Sequence, residues 1–479
     1  MAFSAAFVVV WALWAALFNT GQFGDNIEQF NWAQSLELGY HKHPPLPSWV
    51  LAGIIRMFGP AIYWAYALAT LCLLGTLAFT WLIGRELLGD RLAAVACVLW
   101  GLNLSFSLRV QLYNHNTMLV LCMAATVWFA MRASLGSAFW WVATGVGAGA
   151  ALLSKYQAFV PLAGLLLALA WSGRLQSAAQ RRGLGLALAL MLLVIAPHAV
   201  WVAQHDFTTL RYASEAVEAS GLLTRAGFIA SFFANQIRLV FPALLAIGIY
   251  WGWTRRDRRA LAADASPSDA AVAPDFGIWM TGLVWSTLLV LVVMALAGGV
   301  SLRNHWGVQT LQFLPLWLAW RWERAAPVDL RRLVWVALLV HGLSLAFYAF
   351  EHRDPRAAAA DRRNDTMYPA RRLAAAALAH WAANTNCPVH YVAGTGFDAG
   401  LVALYSGGRL KMFESALATP WVPLDDLKRR GALVVLDAGD TVPEGVTKLV
   451  PFDLAPGLAS GATTRVIRLG VILPAQPCP

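Results

Sequence analysis

Asp25 and Glu28 stand one helical turn apart in a short polar stretch, and Lys42 and His43 follow it, just ahead of Pro44-Pro45. A carboxylate in such a place can take the proton of a hydroxyl nucleophile, and nearby cations can hold a phosphate as its charge develops. Lys155, Arg238 and Arg303, with the ring of His305, recur beside apolar runs in the same way. Any one of these cations reads most simply as a side chain reaching back to water, and Asp25 alone reads as a helix cap. Several on one face point to a shared anion site. The diproline stops helix continuation and presents His41, Lys42 and His43 at a rigid extended corner, suited to a phosphate or to headgroup anchoring. Trp32, Tyr40, Tyr113 and Trp306, and Asn116 at the end of the polar segment from Arg109, either line a ligand cleft or anchor the chain at an interface.

These residues need a frame that crosses a bilayer, since 59% of the 479 residues are hydrophobic and 13% are charged. Apolar runs of about 17 to 25 residues recur throughout, the length of a transmembrane helix. They predict about eleven spans: 3–19, 60–84, 92–108, 116–133, 138–153, 157–172, 184–203, 233–253, 276–299, 307–320 and 333–350. The first stretch lacks a basic leader and a small-residue cleavage pattern, so it is expected to be retained. Within the first outer loop, residues 20–58, Phe30, Trp32, Leu36 and Leu38 predict one face of a short interfacial helix led by Asp25 and Glu28.

Arginine is concentrated in alternate loops, at Arg85, Arg91, Arg132, Arg174, Arg181, Arg255, Arg321 and Arg324 among others. Short basic loops stay in the cytoplasm, which puts Asp25, Lys155 and Arg303 on the outer face. The net charge of +10 then reports topology. Basic residues scattered over loops argue against nucleic acid as a partner.

Residues 1–350 therefore read as a polytopic membrane module, and 351–479 as a soluble α/β domain outside, where apolar runs shrink to strand length. A helix is expected over Tyr368–Asn384 and strands over 389–393, 410–413, 433–436 and 465–473. Gly394-Thr395-Gly396 is too short to be a nucleotide fingerprint. Cys72, Cys97 and Cys122 fall in apolar runs as small core residues, whereas Cys387 and Cys478 share the exported tail and are expected to pair.

The pattern Asp25-x-x-x-Gln29-Phe30-x-Trp32-x-x-Ser35-x-x-Leu38-Gly39-Tyr40-x-x-His43-Pro44-Pro45-Leu46, the turn Leu152-Leu153-Ser154-Lys155-Tyr156 and His305-Trp306 resemble bacterial members of glycosyltransferase family 39. These are relatives of protein mannosyltransferases and of the lipid A aminoarabinose transferase. The resemblance runs over roughly residues 20–320 and implies a GT-C fold in the bacterial inner membrane. It implies transfer of a sugar from a polyprenyl-phosphate donor, on the periplasmic side, to an envelope acceptor such as lipopolysaccharide or lipid A, another glycan or protein. Asp25 matches the family aspartate that acts as base or orients the acceptor, His43 falls at a phosphate-contacting position, and Lys155 matches the lysine of the family turn. Asn26, Lys42 and Asn116 stand where relatives often carry acids. No cofactor is required on this reading, and Lys42 disfavours the divalent cation that some members use.

The expected roles are Asp25 and Glu28 in catalysis; Lys42, His43, Lys155, Arg238 and Arg303 on the donor phosphate; and Trp32, Tyr40, Tyr113, Asn116, His305 and Trp306 along the cleft. The alternatives are a flippase or transporter for the lipid-linked sugar, which would place polar residues at mid-membrane depth, and a non-catalytic lipid-binding homologue.

Overall fold

Every predicted apolar run carries a helix in the computed structural model, which describes residues 1–215, 221–255, 276–325, 327–353, 365–454 and 466–475. The helices of these runs are α1 (Ala2–Phe18), α4 (Trp64–Leu88), α5 (Asp90–Gly101), α6 (His115–Ser134), α7 (Ala138–Ser154), α8 (Phe159–Trp171), α9 (Ala178–Gln204), α11 (Leu222–Thr254), α12 (Phe276–Gly298), α13 (Gly307–Thr310), α14 (Leu314–Ala325) and α15 (Leu330–Glu351). Among the described residues six helices are long and apolar enough to cross a membrane, and four shorter apolar ones accompany them. The chain is a multi-pass membrane protein. On α9, Leu192 and Leu193 are 58% and 67% exposed, an apolar surface suited to contact with lipid.

Two runs break where the sequence offers the backbone another partner. The run 92–108 stops being helical at Gly101, and just beyond it the side chain of Asn103 accepts the Ser105 N–H at 2.9 Å, a local turn that competes with the helix. The run 307–320 is split between α13 and α14, and Pro315 sits in the opening turn of the second piece, where a missing N–H costs nothing.

Two short helices carry the first loop, α2 (Gly24–Trp32) and α3 (Leu46–Phe58). The interfacial helix expected to continue through Leu38 ends at Trp32, and Leu36 and Leu38 lie exposed beyond it. There the Gln34 amide donates to the Leu410 carbonyl at 3.3 Å and accepts the Met412 N–H at 3.2 Å, so a distant strand claims the chain. The diproline is not an extended corner. Pro45 has φ −91° and ψ −13° and caps α3, because proline is well suited to a helix start.

The C-terminal portion is a five-stranded sheet in the order β2-β1-β3-β5-β4. Its strands are β1 (Tyr391–Gly394), β2 (Lys411–Phe413), β3 (Ala432–Asp437), β4 (Thr447–Asp453) and β5 (Val466–Ile472). β1 runs parallel to β2 and β3, while β5 is antiparallel to β3 and β4. The expected helix is α16 (Ala370–Asn384); α17 (Asp398–Tyr405) and the edge strand β4 were not anticipated, the latter because Pro451 and its open face weaken the strand pattern. Gly394 has φ +151°, and a Cβ there would meet the Val435 carbonyl oxygen at 1.9 Å, so its glycine serves strand packing. Ile27 and Phe30 of α2 share one apolar core with Leu373, Val392, Val402 and Leu433. Burial of that core joins the first loop to the sheet. Cys72, Cys97 and Cys122 are free thiols; Cys387 is disulfide-bonded, and Cys478 lies outside the described residues.

Candidate functional site

The N-terminus of α6 organises the site. Asn114 caps it, its Oδ1 accepting the N–H of Asn116 at 2.9 Å and of Thr117 at 3.0 Å. With the oxygen committed, the amide nitrogen is left to donate to Asp25 Oδ2, at 2.6 Å. Asn116, in the same first turn, accepts from Lys155 Nζ at 2.9 Å. One helix start thus holds the acid and the buried cation together. Lys155 interrupts two helices in an extended conformation (φ −164°, ψ 137°), which turns it out of the α7 axis and into this recess. Asp25 is not spent as a cap: the N–H of Gly24 donates to Asp365 Oδ2 at 2.9 Å, and the α2 cap residue, Phe23, makes no side-chain bond.

Glu28 pairs with Lys42 at 2.7 Å. Burial pushes its carboxyl up to about 7, opposed by Lys42 and reinforced by the charges of Asp25 and Glu414. At Lys42 burial works the other way, but Glu28, Glu414 and Tyr212 outweigh it and hold the ammonium above its ordinary value. A carboxyl whose folded pKa lies above its unfolded value contributes stability that is complete below 4.5 and lost as pH rises through about 7. Melting curves between about pH 5 and pH 7.5 are expected to show this loss in the wild type and to lack it in Glu28→Gln.

Around Lys155 the field is positive. Burial, countered by Asp25 and Glu28, brings its ammonium down to about 8. Burial lowers His305 to about 3, and Lys155, Arg303 and Arg109 add to the effect. His43, within 4.2 Å of the His115 ring centroid, is pushed well below the usual histidine range by burial, then by His115, Lys155, Lys42 and His305. Arg109 is lowered by burial, against the pull of Asp25 and with the added push of Arg238. The neutral histidines and crowded cations form a receptive place for an anion.

The aromatic residues divide. Trp32 stacks on Tyr40 at 5.0 Å and meets His43 and His115 edge-on, at the site's wall. Tyr113, expected in the cleft, is fully buried and donates its hydroxyl to the Pro47 carbonyl at 2.8 Å, a strut between α3 and the α6 cap. Trp306 packs against the cluster around Phe232 and Leu291, beside His305. Gly39 permits the close approach of α9, since a Cβ there would meet the Trp201 ring at 2.4 Å.

The chain is similar to known proteins in both sequence and shape. The profile of the dolichyl-phosphate-mannose-protein mannosyltransferase family matches residues 42–201. The lipid A galacturonosyltransferase RgtD of Rhizobium johnstonii is 28% identical over 249 residues, 50% of this chain and 50% of that protein. The lipopolysaccharide core galacturonosyltransferase RgtB of the same organism is 28% identical over 347 residues, 68% of this chain and 66% of its own length. The match thus spans about half the length of the first of these relatives. The crystal structure of ArnT from Cupriavidus metallidurans in the apo state superposes with a TM-score of 0.61 at 15% identity, over 100% of this chain and 98% of that one. The same protein bound to undecaprenyl phosphate gives 0.56. The chain shares the fold of ArnT and is similar in sequence to glycosyltransferases of the family-39 type.

In this chain Asn26 is wholly buried. Its amide donates to Gln22 Oε1 at 2.9 Å and to the Gln111 carbonyl at 3.0 Å, and its oxygen accepts the Tyr113 N–H at 2.8 Å. Asn26→Asp would face two acceptor oxygens with a third, and is expected to cost about 2–4 kcal/mol, read as a lower melting temperature in detergent. Two site residues were given no role in the sequence reading, Asn114 and Glu414, and Arg109 entered it only as the head of its polar segment. Asn114 alone carried a usable signal, as an Asn directly ahead of a helix. Among the described residues no three His, Cys, Asp or Glu side chains come close enough to share a metal ion.

Proposed function

We propose that this protein transfers a sugar from a polyprenyl-phosphate donor to a glycolipid acceptor of the bacterial envelope, working on the periplasmic face of the inner membrane with about eleven spans. One observation carries the reading: Asp25 and Lys155 are tied, through Asn114 and Asn116, to the start of one helix. A candidate general base and a candidate phosphate-binding cation are thereby anchored to the same helix start, the proximity that displacement at a sugar carbon uses. The acceptor hydroxyl gives its proton to Asp25 and its oxygen attacks the anomeric carbon with inversion. The bond from that carbon to the phosphate oxygen breaks, and its electron pair leaves on the lipid phosphate, which Lys155, Arg303 and Arg109 stabilise. Residues 1–350 would form the membrane module and 351–479 a periplasmic domain above it.

The names of the relatives, galacturonosyltransferases acting on lipid A and lipopolysaccharide core, favour a uronic acid as the sugar and lipopolysaccharide as the acceptor. Cations around Lys155 outnumber those one phosphate needs, which suits a second, carboxylate charge on the donor. The purified protein in proteoliposomes, given radiolabelled undecaprenyl-phosphate galacturonic acid and lipid A, is expected to attach the label covalently to lipid A. Label that crosses the bilayer on its original lipid would mean a flippase, and lipid binding with neither outcome a non-catalytic homologue.

A further inference from the structure

We infer that Glu414, carried on the C-terminal sheet, belongs to the acceptor side of the site, where its carboxylate receives hydrogen bonds from the hydroxyls of a saccharide; this rests on the transferase reading above. Glu414 follows directly on β2. That strand is fixed against the first loop by both bonds of the Gln34 amide, and Asn31 Nδ2 donates to the Gly396 carbonyl at 3.2 Å. Nearby, Gly400 packs so closely on α2 that a Cβ would meet Ile27 Cγ2 at 2.3 Å, and Trp421 meets the Tyr40 ring edge-on at 5.9 Å. These contacts hold Glu414 in register with the helix that carries Asp25 and Glu28.

Its side chain is exposed and lies over Gly396, where an added Cβ would fall 2.9 Å from Glu414 Oε2. Among the described residues its carboxylate accepts no hydrogen bond, while its backbone N–H donates to Thr419 Oγ1 at 3.2 Å. It is near enough to Glu28 and Lys42 to act electrostatically on both.

Asp25 acts on Lys155 and Arg109 and also on Glu28, whereas Glu414 acts on Glu28 and on Lys42, which Glu28 already engages. A lipid phosphate is drawn to Lys155 and Arg109 and repelled by the Glu414 carboxylate. The hydroxyls of a sugar ring are the reverse case, because they donate and an ionised carboxylate accepts. The nucleophile must come to Asp25, and the neighbourhood of Asp25 that holds Glu28 and Glu414 is the one suited to its hydroxyls. Glu414 is the contribution of the sheet to that neighbourhood, and it is placed there only when the tail is docked.

Steady-state transfer from undecaprenyl-phosphate galacturonic acid to lipid A separates the possibilities. Glu414→Gln is expected to raise the acceptor KM about tenfold to a hundredfold, with the loss falling on KM rather than on kcat. The affinity for undecaprenyl phosphate and the melting temperature should stay at wild-type values, and Glu414→Asp should recover part of the acceptor KM. An acceptor KM unchanged in Glu414→Gln while the wild type transfers sugar overturns this inference alone. So does a loss shared equally by acceptor and undecaprenyl phosphate, which would mark a structural role. A wild type that binds undecaprenyl phosphate but transfers nothing overturns the transferase reading and this inference with it.

Discussion

Asp25→Asn is expected to abolish transfer, a loss of about a hundredfold to ten-thousandfold in kcat, in a protein that still folds and still binds undecaprenyl phosphate. The substitution keeps the shape of the side chain and an oxygen for the Asn114 amide, which donates to Asp25 across 2.6 Å. It also leaves the α2 start untouched, because Asp365 and not Asp25 takes the Gly24 N–H. Only the ability to accept a proton in the transition state disappears. Radiolabel transfer by the purified variant, alongside its melting curve, tests this. Wild-type turnover would remove Asp25 from the base role, whereas a collapsed melting temperature would mean that Asp25 serves the fold.

Lys155→Met is expected to reduce turnover about a hundredfold to a thousandfold, the usual cost of removing one preorganised charge contact to a developing anion. The lysine is 9% exposed, and methionine fills its path with a flexible apolar chain of similar reach. Relieving a buried cation should leave stability level or higher. The proton balance gives a second readout. With its ammonium at about 8, an anion bound beside it raises that value. Affinity for undecaprenyl phosphate is then constant at lower pH and falls as pH climbs through about 8. Lys155→Met should bind more weakly and lose this dependence. Titrations that show equal affinity and equal pH dependence in the two proteins would exclude Lys155 from the donor phosphate.

The stability and activity of this site are linked through α2. Its apolar face, with Ile27 and Phe30, enters the core shared with the sheet, while its polar face carries Asp25 and Glu28. Substitutions at Ile27 would disturb both together. The Glu28–Lys42 pair is the part most open to pH, since its carboxyl titrates near neutrality and is faced by Asp25 and Glu414 as well as by Lys42.

Some of this was legible residue by residue. Apolar runs placed the helices to within a few positions because helix length and hydrophobicity in lipid are local properties of the chain. Asp25, Lys155 and His305 stood out because charge beside apolar runs is costly and therefore conspicuous. The reading failed where a distant partner decided the conformation. Leu36 and Leu38 have helical spacing with Trp32, yet Gln34 is bound to β2 and the helix ends. Tyr113 reads as a cleft aromatic, yet its hydroxyl is spent on Pro47.

The sequence by itself determined a multi-helical membrane chain, a family-39 pattern around Asp25, and an α/β tail, since hydrophobic period and motif order are written along the chain. Only the tertiary structure decided that the Asn114 oxygen is used up in capping α6 so that its nitrogen holds Asp25. It also turned Glu28 to Lys42, and brought Glu414 from far along the chain within electrostatic reach of Glu28. The direction of a hydrogen bond and the partner of a charge depend on through-space distances of a few ångströms, and those are set by how helices and sheet pack, not by the order of residues.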